Sequence, residues 1–255
     1  MSLKGLWVTE RKNGSLPSGY RAAPVLLQVR LRRADHVRGV PYGDAVKILL
    51  LSRQPGAMVP FLAESIDAAG RRLRLGYIDD AQAAFAEAPF VRAERESVEA
   101  LGHEVVRITV RDIAPVDLDR MLADLDGVYV ASGSTFALLE ALRSSRNDAV
   151  ITGHVQAGLP YIGSSAGSII AGPDVTPASL LDDPADGPTL TGFAGLALVD
   201  RTVIPHADGQ LPPYPPELIS RTLEQYADDY PLVPLRDDQA LLVDGATATV
   251  IPSSP

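Results

Sequence analysis

Leu159-Pro160-Tyr161-Ile162-Gly163-Ser164-Ser165-Ala166-Gly167-Ser168-Ile169-Ile170-Ala171 is the stretch on which the fold and the chemistry both turn. Tyr161 to Gly163 reads as a buried strand and Ser168 to Ala171 as the start of a helix, with only a few small residues between them. A reversal that short needs glycine. Gly163 and Gly167 remove side chains that would collide, and Ser165 stands at the apex of a G-x-S-x-G turn. A serine so placed presents its hydroxyl at a strand end, beside a helix N-terminus whose dipole favours developing negative charge. The amide of Ala166 is then placed to donate to an oxyanion. Ser164 occupies an x position of the motif, so the glycine register favours Ser165 as nucleophile. Small residues also gather in turns for structural reasons alone, and the reading therefore depends on what the rest of the chain supplies.

Working outward, short apolar runs at 46–51, 74–78, 105–110 and 127–131 read as strands. Between them, residues 58–69, 81–101, 116–123, 135–143 and 148–157 repeat apolar side chains near every 3.6 residues and predict helices. Strands alternating with crossover helices imply an α/β fold with a mostly parallel sheet covered by helices on both faces. In such sheets ligands bind beyond the carboxyl ends of the strands, so candidate functional residues are sought there. Residues 176–192 and 210–216 are rich in Pro, Asp, Gly and Ser and read as loops framing that edge.

The chain has 255 residues, 46% of them hydrophobic, enough for one sizeable core. The compact hydrolase domain is expected over 46–255. Residues 1–45 carry eight Lys or Arg against three Asp or Glu and form a basic extension, for which an edge strand at 25–31 and partial disorder are equally compatible readings. A net charge of −9 argues against nucleic-acid binding, which needs a basic surface. No run approaches the ~20 apolar residues of a membrane span. With no cysteine, thiol catalysis and thiolate zinc sites are excluded, and a cytoplasmic location is expected.

A nucleophilic serine needs a base. His36 lies in the basic extension, His103 precedes a strand from its amino end, and His154 falls in a helical pattern; His206 alone follows an apolar run, Val203-Ile204-Pro205, into a loop downstream of the elbow. Several aspartates are in range as the orienting acid. Asp237 is attractive because 232–235 reads as a short strand whose end delivers it, before a further strand at 239–243. Gly133, in the small-residue turn Ser132-Gly133-Ser134 after the strand at 127–131, is the natural second oxyanion donor, with Ser134 or Thr135 as helix N-cap.

These segments resemble the serine peptidase family that contains peptidase E (aspartyl dipeptidase) and, more distantly, cyanophycinase. The match is carried by Val46 to Ser52, Ala131 to Leu139, Tyr161 to Gly172 and Ile204-Pro205-His206. The resemblance implies a fold like that of class I glutamine amidotransferases and a Ser-His-acid triad in that order. It implies Ser165 as nucleophile, His206 as base, Asp237 as acid, and Gly133 and Ala166 as oxyanion donors. It also implies short peptide substrates, with no metal and no cofactor. Peptidase E has Trp where Ser164 stands, and Gly and Asn where Ser132 and Ser134 stand. An acidic substrate side chain requires a cation, for which Arg221 is the sequence candidate. A homodimer is compatible with the family. The competing expectations are an α/β-hydrolase esterase, whose acid precedes its histidine, as Asp183 would, and a non-catalytic binding protein on the same fold.

Overall fold

The computed structural model describes residues 46–66 and 70–255; the proposed edge strand at 25–31 and the last residues of the 58–69 helix lie outside them. The chain runs β1 (Lys47–Leu51), α1 (Met58–Ser65), β2 (Arg74–Ile78), α2 (Pro89–Glu99), β3 (Glu104–Ile108), α3 (Pro115–Ala123), β4 (Gly127–Val130), α4 (Thr135–Ser145), α5 (Asn147–Gln156), β5 (Tyr161–Ser164) and α6 (Ala166–Ile170). It continues through β6 (Thr202–Ile204), α7 (Pro216–Tyr226), β7 (Leu232–Pro234), β8 (Gln239–Asp244) and β9 (Thr247–Pro252). Seven strands form one sheet in the order β3-β2-β4-β5-β1-β8-β9. The first five are parallel, β8 and β9 pair antiparallel at the β1 side, and β6 with β7 makes a separate parallel pair.

Strand β1 shows why the sheet is covered twice. Ile48 and Leu50 join one apolar cluster, with Val128, Val130, Tyr161, Phe136 of α4 and Ile169 of α6. Leu49 and Leu51 join another, with Tyr77, Tyr129, Ile162 and Met58, Phe61 and Leu62 of α1. Side chains alternate across a strand, so a run apolar at every position must be buried on both faces. All four residues are fully buried, and each is worth about 1.5–3 kcal/mol of apolar transfer.

The structure departs from the expected elements at two places. The single helix expected over 81–101 is a 3-10 helix, Asp80–Phe85, followed by a turn and then α2. The apolar period runs through the break, but Pro89 has no amide to donate and pushes Ala88 out of the helical region, to ψ 140°. The second is β9, absent from the sequence reading. It pairs back on β8 through the two-residue loop Gly245-Ala246, with Gly245 at φ 53° in the first central position of a tight hairpin. The 176–192 loop contains two short 3-10 helices, Thr176–Leu180 and Pro184–Asp186.

Candidate active site

The carboxyl ends of the neighbouring strands β4, β5 and β1 converge, and the elbow is built on them. Ser165 lies at φ 46°, ψ −103°, a strained conformation for a residue with a Cβ. It is held there by its amide, which donates to the Leu51 carbonyl at 3.1 Å. The Ser168 hydroxyl donates to the same carbonyl at 2.7 Å, and the buried Tyr161 hydroxyl donates to the Gly167 carbonyl at 2.6 Å. Both motif glycines are required by contact with backbone: a Cβ on Gly163 would lie 2.4 Å from the Gly167 carbonyl oxygen, and one on Gly167 would lie 2.1 Å from that of Val130. Helix α6 has only five residues, so oriented amides rather than a long helix dipole set the local field.

The structure brings Ser165, His206 and Asp237 together. The Ser165 hydroxyl donates to His206 Nε2 at 3.1 Å, and His206 Nδ1 donates to Asp237 Oδ1 at 2.7 Å. An ionised carboxylate only accepts, so Nδ1 carries the proton and Nε2 of the neutral ring is left to accept. All three residues are buried, at 8, 4 and 7% exposure, which limits competition from water. Burial pulls the Asp237 carboxyl upward, but the His206 hydrogen bond and the Arg53 guanidinium outweigh it and hold the group below its ordinary range. Arg53 Nη1 donates to the outer oxygen, Asp237 Oδ2, at 3.1 Å.

His206 is itself at φ 58°. Its amide donates to the buried Ser52 hydroxyl at 2.8 Å, and that hydroxyl donates on to the Leu235 carbonyl at 3.2 Å. The ring stacks on Tyr214, with centroids 4.7 Å apart and planes 6° apart. Behind this face the Asp182 carboxylate accepts from the Thr135 amide at 3.0 Å and meets the Tyr214 hydroxyl. Burial raises the Asp182 pKa and, with the Asp182 charge beside it, raises that of Tyr214 as well.

At the end of β4, Gly133 has φ 135°, and a Cβ there would lie 2.2 Å from the Ala81 carbonyl oxygen. Ser134 is the N-cap of α4, accepting from the Ala137 amide at 3.3 Å. Among the described residues the amides of Gly133 and Ala166 have no hydrogen-bond partner. Arg221 is exposed on α7, and no hydrogen bond or ion pair ties it to the other site residues. His154 instead faces Asp119 at 2.9 Å, and Asp183 caps the second 3-10 helix through the Ala185 amide. Among the described residues no group of three or more His, Asp or Glu side chains is arranged to hold a metal ion.

Ser52, Arg53, Tyr214 and the placement of Asp182 are contributions to the site that the motifs do not mark. Ser52 and Arg53 directly follow β1, so the strand-end rule that pointed to His206 applied to them equally. Tyr214 lies in a proline-rich loop, and nothing in the sequence signals its stacking.

Residues 57–251 match the model of peptidase family S51. The chain belongs to peptidase family S51. A relative from Pasteurella multocida, an uncharacterized peptidase, is 30% identical over 175 residues, covering 68% of this chain and 76% of that protein. Peptidase E of Shewanella amazonensis is 33% identical over 139 residues, 53% of this chain and 57% of its own length. A crystal structure of a candidate peptidase E protein from Listeria monocytogenes superposes with a TM-score of 0.72 at 24% identity, covering 82% of this chain and 99% of that one. The S51 match and this fold place the chain in the mostly parallel α/β architecture expected from its sequence.

Proposed function

We propose that the protein is a serine dipeptidase that works through an acyl-enzyme on Ser165. The observation that carries this reading is the buried relay from Ser165 Oγ through the His206 ring to Asp237, at 3.1 and 2.7 Å. His206 Nε2 takes the proton as Ser165 Oγ attacks the scissile carbonyl, and Asp237 stabilises the imidazolium that forms. The unpartnered amides of Gly133 and Ala166 are the oxyanion donors. His206 then protonates the leaving amine, and water, deprotonated by His206, releases the acyl group and restores Ser165. Membership of S51 and the likeness to peptidase E support short peptides as substrates. The acid follows the histidine in the chain, as in the S51-like order, whereas the esterase candidate Asp183 is occupied as a helix cap.

The test is release of free leucine from Asp-Leu, Met-Leu and Ala-Leu, with Ser165→Ala as control. Release abolished by the substitution supports the mechanism. Turnover confined to Asp-Leu assigns a cationic pocket for the acidic side chain, for which Arg221 and Arg53 are the candidate cations. No release from any dipeptide, together with failure of a fluorophosphonate to label Ser165, would sink the reading.

A further inference from the structure

Outside the relay, a cluster of polar side chains gathers around one carboxylate, Glu94 of α2. Its Oε1 accepts from the Tyr129 hydroxyl at 2.8 Å and the Ser132 amide at 3.0 Å. Its Oε2 accepts from Gln82 Nε2 at 2.7 Å and from the Ser132 hydroxyl. Four donors fill the carboxylate, and among the described residues no Lys or Arg forms an ion pair with it. A group so saturated has no lone pair left for a ligand; what it does is hold its donors in place.

Those donors sit at the site. Tyr129, next to last in β4, stacks on Tyr77 with ring centroids 5.3 Å apart and faces Ser164, the residue before the nucleophile. Burial, then the Glu94 charge, raises the pKa of both tyrosines, so each hydroxyl keeps the proton it donates. Tyr77 in turn donates to Gln82 Oε1 at 3.3 Å, which turns the Gln82 amide toward Glu94. Ser132 is bound through both amide and hydroxyl, while on the far side of the turn the Ser134 amide donates to the Ala81 carbonyl at 2.9 Å. Both flanking amides are taken. The Gly133 amide between them is left without a partner.

We propose that Glu94 is a positioning residue that clamps the Ser132-Gly133-Ser134 turn so that the Gly133 amide faces the reacting carbonyl. This rests on the reading that Gly133 is an oxyanion donor. It adds a requirement that residue 94 present an acceptor to the Ser132 amide and a matched donor–acceptor pair to residue 82. With Gln82 unchanged, glutamine at 94 would set NH₂ against NH₂, and the turn would lose at least one of its two anchors on Ser132.

The experiment measures kcat, KM and melting temperature for dipeptide hydrolysis by Glu94→Gln and by the swap Glu94→Gln/Gln82→Glu, alongside Ser165→Ala. In the swap, the 82–94 hydrogen bond is restored with its direction reversed, and Tyr77 still finds an acceptor. Glu94→Gln should lose about tenfold or more in kcat with KM within about twofold, a fraction of what losing a whole oxyanion donor costs. The swap should recover most of that loss. An unchanged kcat, a loss confined to KM, or a swap that restores the melting temperature without kcat would overturn the proposal. If Glu94→Gln does not fold, Ser132→Ala removes one anchor only; a severalfold fall in kcat is expected, and no fall overturns the clamp. Activity retained in Ser165→Ala would instead overturn the serine mechanism itself, so the two failures are distinguishable.

Discussion

Removing the Ser52 hydroxyl tests whether the histidine is held by backbone strain or by its contacts with the acid. In the protein, this hydroxyl accepts from the His206 amide at 2.8 Å and donates to the Leu235 carbonyl at 3.2 Å, fully buried. Ser52→Ala orphans the His206 amide, at a cost of about 1–3 kcal/mol for an unsatisfied buried donor. The Leu235 carbonyl loses little, because the Ala207 amide still donates to it at 2.9 Å. His206 sits at φ 58°, and a left-handed non-glycine residue costs about 1–3 kcal/mol that the surrounding contacts must offset. Without the hydroxyl, the backbone is free to relax toward negative φ, which swings the ring away from Ser165. If this relaxation is what the bond prevents, kcat falls by the same 1–3 kcal/mol, about five- to 150-fold. Stability measured by urea unfolding falls over a similar range, with KM less affected. The assay pairs denaturant melts with leucine release for wild type, Ser52→Ala and Ser52→Thr, the last keeping the hydroxyl. Wild-type kcat in Ser52→Ala, or equal losses in Ser52→Thr and Ser52→Ala, would refute the reasoning.

Asp237→Asn should lower kcat by about three to four orders of magnitude, since an amide no longer fixes the Nδ1–H tautomer. The Asp237 pKa is depressed in the fold from 3.8, so its stabilisation is full above the unfolded pKa and is lost as pH falls through the folded one. The melting difference between wild type and Asp237→Asn should stay flat from about pH 6 to 8 and shrink only below about pH 4. Asp182 has the opposite sign: its pKa is raised, so ionisation costs stability as pH rises above the ordinary carboxylate range. Asp182→Asn, which keeps an acceptor for the Thr135 amide, should therefore gain stability on wild type as pH rises from 4 to 8 in thermal melts, and a constant difference would count against the raised pKa of this half-buried carboxylate. Gly167→Ala should fail to accumulate as folded protein, or lose more than about 4 kcal/mol, because its Cβ would lie 2.1 Å from the Val130 carbonyl oxygen. Helix propensity alone predicts the reverse, a gain of about 1 kcal/mol, so the sign of the change decides between them.

Much of the fold was legible because local and global preferences agree along this chain. The all-apolar run of β1 and the glycine-bracketed β5–α6 elbow have few alternatives: each fits a strand buried on both faces or a reversal that side chains would block. Where the reading failed, one residue overrode a continuous pattern. Pro89 cuts an apolar period that runs through it, and Gly245 starts a hairpin whose returning strand is mostly exposed and so carries little hydrophobic signal.

The site divides along a different line. Ser165, His206 and Asp237 were legible as candidates because each follows closely on a strand, Ser165 on β5 of the main sheet and His206 and Asp237 on β6 and β7 of the separate parallel pair. The residues that hold them are of another kind. Ser52, Tyr214 and Glu94 act through contacts between segments far apart in the chain, and a serine, tyrosine or glutamate making such a contact looks like any other in sequence. Their work is nevertheless implied by the backbone. Ser165 and His206 both adopt positive φ, and strain at two partners of one hydrogen bond persists only where neighbouring groups over-determine it. At Ser165 those neighbours are Leu51 and the two glycines, and at His206 they are Ser52, Tyr214 and Asp237. Two of them, Leu51 and Ser52, are adjacent residues at the end of β1. That one strand end holds both the proposed nucleophile and its proposed base, so a shift of β1 relative to β5 would be felt in the 3.1 Å hydrogen bond between Ser165 and His206 before it altered either side chain's chemistry.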